Sequence, residues 1–238
     1  MTGLPGVGIA LLRFFARHGE PAHLRAAEQI ADRIRGLLDE RTETPHAAGW
    51  TSGSSGAALF LMNLHRTTGD PRLLDSAVEC VRRDLRNCVE FNGSLQISDG
   101  WRSVSYLGTG STGIGIAALE CLRHREEADL RSAVEGINRA AGNQFSVLPG
   151  LFQGRAGAAY YLGLHHPKAG ADLQGHLTEL WKYAVPHQTG LAFPGHFHLR
   201  LSMDLATGSA GVLLALDSVR RNIDHLAPLL GLSPASAA

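Results

Sequence analysis

One phrase recurs five times along this chain, Gly-x-x-Gly followed by an apolar run. It stands at Gly3–Gly6 (GLPGVGIALLRFF), Gly53–Gly56 (GSSGAALFLMNL), Gly110–Gly113 (GSTGIGIAALECL), Gly154–Gly157 (GRAGAAYYLGL) and Gly208–Gly211 (GSAGVLLALDSV). Successive first glycines lie 50, 57, 44 and 54 residues apart. A repeat of this period is a unit that buries its apolar face only by stacking on its copies. The first glycine is read as a sharp turn through a backbone angle closed to other residues. The second, having no side chain, lets the helix start lie against a neighbour.

The run Ile114-Gly115-Ile116-Ala117-Ala118-Leu119 is apolar all round, which marks a buried helix. A break follows each such helix, as in His18-Gly19-Glu20-Pro21 and Gly69-Asp70-Pro71, with proline placed where a helix tolerates it. An amphipathic helix comes next. Leu24, Ala27, Ile30, Ile34 and Leu37 set its period in the first unit, and Leu73, Ala77, Val81 and Leu85 in the second. Leu130, Ala133, Val134 and Ile137, then Leu173, Leu177, Leu180 and Ala184, continue it. Each unit is an inner buried helix and an outer half-wet one. Strand signals are sparse, with Ser94–Ile97 the one short extended candidate. The pattern predicts an all-α fold, an α/α toroid of five helical hairpins with the glycine turns gathered at one end. Loops Cys88–Thr109 and Val185–Thr207 would cover its cavity.

Composition narrows the function. The chain has 28 glycines in 238 residues, about 12% against roughly 7% in average proteins. Lys plus Arg and Asp plus Glu are 22 each, so the basic surplus that holds nucleic acid or an anionic membrane is missing. Cys80, Cys88 and Cys121 form no CxxC pair, which argues against disulfides and a zinc knuckle and for a reducing compartment. With no signal-peptide pattern in the first residues and no long apolar stretch, the expected location is the cytoplasm.

The repeated turns resemble those of the lanthionine synthetase C-like cyclases, which are seven-hairpin α/α toroids. The closing stretch Ser202-Met203-Asp204-Leu205-Ala206-Thr207-Gly208-Ser209-Ala210-Gly211 is similar to the end of the cyclase domain of class III lanthipeptide synthetases, which join a lyase, a kinase and a cyclase. The resemblance covers Gly3 to about Leu230 and makes residues 1–238 one cyclase-like domain. It implies that Gly3 opens the third hairpin of seven and that the chain is the C-terminal portion of a longer synthetase. An open ring of five hairpins should then self-associate, and a compact monomer in sedimentation would count against it. Zinc cyclases of the family carry Trp-Cys-x-Gly-x-Pro-Gly and Cys-His-Gly-x-x-Gly. Here Gly108 replaces the first cysteine, Phe152 and Gln153 replace the Cys-His pair, and Ser52 stands where another histidine falls. Expected cofactors are therefore none and expected metal ligands none. The implied partners are a precursor peptide and the kinase and lyase domains.

The family reaction adds a peptide thiol to dehydroalanine or dehydrobutyrine, giving lanthionine or labionin rings. Without a metal it needs a base, an acid and a charge near the enolate. The candidates are His196 and His198, which share a face if the segment is extended, with Asp204 to orient a histidine or cap the last inner helix. Tyr106 is either a donor to the enolate or a rim aromatic, and Arg155 either replaces the metal's charge or pairs with a carboxylate such as Asp204. Asp99, Trp101, Gln153 and Arg200 are candidates for peptide contact. His165-His166-Pro167 reads as a helix end, and His46 and His187 as loop histidines. Two other readings stay open: a non-catalytic toroid that holds the peptide or the other domains, and a carbohydrate-active toroid. The latter needs paired carboxylates, and only Asp99 and Asp204 lie near the turns.

Overall fold

A computed structural model describes residues 3–39, 48–166 and 168–232. His46, Pro167 and Ser233–Ala238 lie outside the described residues. The chain forms hairpins of helices, in order α1 (Leu4–His18) with α2 (Pro21–Asp39), α3 (Ser55–Thr68) with α4 (Pro71–Leu85), α5 (Ser111–Leu122) with α6 (Ala128–Ala141) and α7 (Arg155–His165) with α8 (Gly170–Leu180). α9 (Ser209–Arg221) is followed by the four-residue α10 (Ala227–Leu230). The odd-numbered helices α1, α3, α5, α7 and α9 pack on one another in chain order, and each even-numbered helix up to α8 packs outside its partner. The result is the all-α, toroid-like architecture expected from the repeat. No described helix is long and apolar enough to cross a membrane.

Burial follows the sequence pattern where both flanks of an inner helix are covered. α5 is buried from Ser111 to Ala118, and α3 from Ser55 to Met62. α1 is an edge helix. Only Gly8, Ile9 and Leu12 of it are buried, and Phe14 is open to solvent. Outer helices bury one face, as with Ala27, Ala31 and Ile34 of α2, while Leu37 is exposed. In the fourth unit α8 ends at Leu180 and a 3₁₀ turn, Trp181–Tyr183, leaves Ala184 outside the helix. Cys88 opens a strand rather than closing a helix.

The glycines act differently from the expectation. Gly3 has φ +90°, but Gly110, Gly154 and Gly208 are extended, with φ −131°, 179° and −99°. Crowding is what excludes a side chain. A Cβ on Gly110 would sit 2.0 Å from the Tyr106 nitrogen, and one on Gly154 2.4 Å from the Leu148 oxygen. The second glycines repeat one contact: Cβ atoms on Gly113, Gly157 and Gly211 would lie 2.3, 2.1 and 2.0 Å from the carbonyl oxygens of Leu107, Leu151 and Leu205. Each turn folds back on the start of its own helix.

The turns are also stitched to each other. The Thr51 N–H donates to the Gly108 oxygen (2.9 Å), the Gly108 N–H to Phe152 (2.8 Å) and the Phe152 N–H to Ala206 (2.9 Å). These four residues each stand two places before a first glycine, so the ladder fixes equivalent positions of successive repeats. Asp84 of α4 holds the second turn, accepting from the N–H groups of Gly49, Ser54 and Ser55 and from the Ser55 hydroxyl. At the opposite end, Arg66 bridges Glu120 to the Gly231 carbonyl, and the Tyr160 hydroxyl donates to Asp224. These contacts bring the segment after α9 back against α3 and α7.

Strands are more numerous than the sequence signalled. β1 (Cys88–Phe91), β2 (Ser94–Ser98) and β3 (Ser103–Val104) form an antiparallel sheet in that order, and β4 (Val185–His187) pairs with β5 (Gly190–Ala192). Both sheets lie in the loops that precede inner helices.

A candidate active site at the glycine-turn end

β1 and β2 turn through Asn92 and Gly93, both left-handed (φ 50° and 76°), as a tight hairpin requires. Arg139 of α6 donates through Nε to the Gly93 carbonyl at 2.6 Å, which anchors the hairpin on the outer helix. Ile97 of β2 faces Val104 of β3, and both are buried. The intervening turn is closed by the Asp99 N–H on the Arg102 carbonyl at 2.8 Å, with Gly100 at φ +78°. Ile97 and Val104 both join the hydrophobic core and hold the loop in place beside a cavity.

That cavity holds about 400 Å³. Asn87, Ile97, Ser98, Asp99, Arg102, Val104, Tyr106 and Thr109 line it from the loop, with Ala48 and Gln153 from neighbouring turns. Arg102 is central. Its Nε lies 3.3 Å from the Asp99 carboxylate, and its guanidinium carbon is 4.6 Å from the Trp101 ring centre and 6.0 Å from that of Tyr106. A cation over aromatic faces gains roughly 0.5–1 kcal/mol at exposed sites. The cavity therefore groups a carboxylate, a guanidinium, a phenol and the side-chain amides of Gln153 and Asn87. Among the described residues, no histidine or cysteine lines it.

Of the nine residues singled out from sequence, Asp99, Tyr106 and Gln153 line this cavity, and Trp101 stands on its rim, 80% exposed. The others lie elsewhere. His196 and His198 sit on an exposed 3₁₀ turn, not an extended strand; Phe197 and His198 are left-handed (φ 49° and 59°), so the two rings do not share a strand face. The His198 ring lies beside Tyr183 at 5.3 Å. Arg200 is exposed and its carbonyl accepts from Gly195. Asp204 caps its own turn, accepting from the Thr207 N–H at 2.7 Å and the Thr207 hydroxyl at 2.9 Å. Hydrogen bonds from the Ser202 hydroxyl and from Thr207 hold its carboxyl down to about 2.

Arg155 corrects its expectation most clearly. It is 3% exposed, donates to the Gln144 and Ser146 carbonyls and lies against the His176 ring of α8. Its charge ties loop 143–149 to the outer helix. It pairs with no carboxylate among the described residues and does not line the cavity. Arg102 went unnoticed because one arginine in a polar loop reads as solvated; its neighbours Asp99 and Trp101 were the available signal.

The positions that hold zinc in metal-dependent relatives do not fit that ion here. A Cβ at Gly108 would meet the Phe152 Cβ and carbonyl oxygen, both at 3.1 Å. Phe152 offers no donor, and no cluster of three metal-binding side chains occurs among the described residues. Burial raises Cys80 well above the usual thiol range, and Cys88 and Cys121 to about 12.

Comparison with known proteins decides the family. The model of the lanthionine synthetase C-like proteins matches residues 1–147, well over half of the chain. The chain belongs to the lanthionine synthetase C-like family. A probable SapB synthase of Streptomyces coelicolor is 41% identical over 177 residues, covering 72% of this chain. The chain spans 19% of the length of that relative. The family match takes in the whole cavity loop, together with the turns of α1, α3 and α5.

Proposed function

We propose that this chain is the cyclase part of a lanthipeptide synthetase of the class III type. It acts in the cytoplasm, without a metal, on a dehydrated precursor peptide delivered by kinase and lyase domains. The observation that carries this reading is the turn-end cavity of a lanthionine synthetase C-like chain, in which Asp99, Arg102, Tyr106 and Gln153 converge.

The chemistry balances without a co-reactant. A peptide thiol, with an ordinary pKa of about 8.5, gives its proton to water or to the Asp99 carboxylate, and the nearby Arg102 charge favours the thiolate. The thiolate forms a C–S bond at the β-carbon of a dehydroalanine, and the π electrons pass to the adjacent carbonyl. Arg102 and the Gln153 amide stabilise that enolate. The Tyr106 hydroxyl gives the α-carbon its proton and is reprotonated from the first one. If the enolate α-carbon instead adds to the β-carbon of a second dehydroalanine, a carbon–carbon bond forms, and the new enolate takes the proton from Tyr106 to complete a labionin ring.

The test is thioether formation on a dehydrated precursor peptide by the metal-stripped chain, followed by mass spectrometry and thiol titration. Ring formation lost in Tyr106→Phe and Arg102→Gln, and retained in His198→Ala, supports this site. Equal activity of all four proteins rejects it. The absence of a histidine from the cavity lining among the described residues favours a second reading, a non-catalytic toroid that holds peptide or partner domains. Stereochemistry separates the two, because a catalysed addition gives one diastereomer at each ring and an unassisted one gives mixtures.

A further inference from the structure

A second cavity of about 400 Å³ lies on the other side of the turn ladder. Ile9, Ala10 and Arg13 of α1 form one wall, Trp50 and Phe152 come from the turns, and Leu229 of α10 closes the floor. Residues 9, 10 and 13 share a helix face, so this wall is continuous. Phe152 looks into this bore while its neighbour Gln153 lines the candidate active site. A single layer of turn residues therefore separates the two spaces.

Its chemistry is distinctive. The lining is apolar apart from Thr51 and Arg13. The Trp50 ring packs edge-on to Phe152 at 5.1 Å, and Trp50 is 4% exposed. Its buried indole Nε1 has no hydrogen-bond partner among the described residues. Arg13 is exposed and has no carboxylate partner among the described residues.

We infer that this bore is a second binding site, taking a leucine- or phenylalanine-sized side chain of the peptide that lies next to a carboxylate. The side chain fills the apolar space against the Trp50 and Phe152 rings. The neighbouring carboxylate pairs with Arg13. A volume of this order lies within the range of small-ligand pockets. The inference rests on the reading of the chain as a peptide-modifying domain and adds a sequence preference to it.

The probe is acetyl-Leu-Glu-amide, titrated into the ¹⁵N-labelled 238-residue chain. The Trp50 indole resonance, assigned by its loss in Trp50→Phe, should shift saturably while the Trp181 indole stays put. Acetyl-Ser-Glu-amide and acetyl-Leu-Lys-amide should each bind at least about tenfold more weakly, as should the exposed variant Arg13→Glu. Ala10→Phe, which fills the bore, should abolish the shift, with circular dichroism reporting whether it folds. An unmoved Trp50 resonance at millimolar probe, or equal affinity of wild type and Arg13→Glu, overturns the inference. Ring formation lost in Tyr106→Phe alongside absent dipeptide binding removes the bore and keeps the cyclase. Dipeptide binding with an active Tyr106→Phe variant does the reverse.

Discussion

The loops Cys88–Thr109 and Val185–Thr207 have the same place in the repeat and different fates. Both carry a short antiparallel hairpin and both lead into an inner helix. In the first, Ile97 and Val104 are buried and the hairpin is pinned to α6. In the second, β4 is exposed throughout and Leu191 is 51% exposed, with burial confined to Ala192, Phe193 and Gly195. The second loop holds His187, His196, His198 and the capped Asp204, whereas residues of the first line the candidate site of about 400 Å³. Titratable side chains make a site only where an apolar underside holds them against the barrel and turns them inward.

The largest effect expected from this contrast is on folding. Gly110→Ala places a methyl group into backbone at the end of the first loop and should cost about 3 kcal/mol or more. Gly190→Ala in the second loop meets open space and should stay within about 0.5 kcal/mol. Asp84→Ala strips the second turn of its acceptor and should cost about 3 kcal/mol or more. Urea midpoints of the three variants check these values.

Activity should divide in the same way. Tyr106→Phe should slow ring formation by about a hundredfold, the lower end of what a positioned acid supplies. His196→Ala and His198→Ala should stay within about twofold. A rate lost with His198 but not with Tyr106 would move the site to the second loop. Arg102→Gln should cost about tenfold through weaker stabilisation of the enolate, against no change for Arg200→Gln; single-turnover rates measure both.

The smallest effect concerns pH. The Asp204 carboxyl titrates near 2 in the fold and near about 3.9 when unfolded. A depressed carboxylate stabilises above its unfolded value, and that stabilisation fades as pH falls from about 4 to 2. The gap in urea midpoint between the wild type and Asp204→Asn should be full at pH 7 and narrow across that window. A constant gap would mean that the cap acts without its charge.

Much of the scaffold was legible because glycine pairs and apolar runs are local signals. The inner helices open at Leu4, Ser55, Ser111, Arg155 and Ser209, each beside its glycine turn. The strands were hidden because their pairing is set between loop segments. Sheet β1–β3 owes its place to contact with α6, which no short window reports. Of the candidate residues, Asp99, Tyr106 and Gln153 line one cavity, whereas Arg155 is buried away from it, where two carbonyls and the His176 ring meet its terminal nitrogens.

The sequence alone determined the repeat, the alternation of buried and half-wet helices, and the family. These are properties of spacing and residue type. The tertiary structure decided why the glycines of the last three turns are needed, which is crowding against backbone four to six residues upstream; Gly3 alone of the first glycines keeps a left-handed angle among those described. It also decided which of two similar loops faces a cavity, because inward or outward direction depends on what each hairpin finds to pack against.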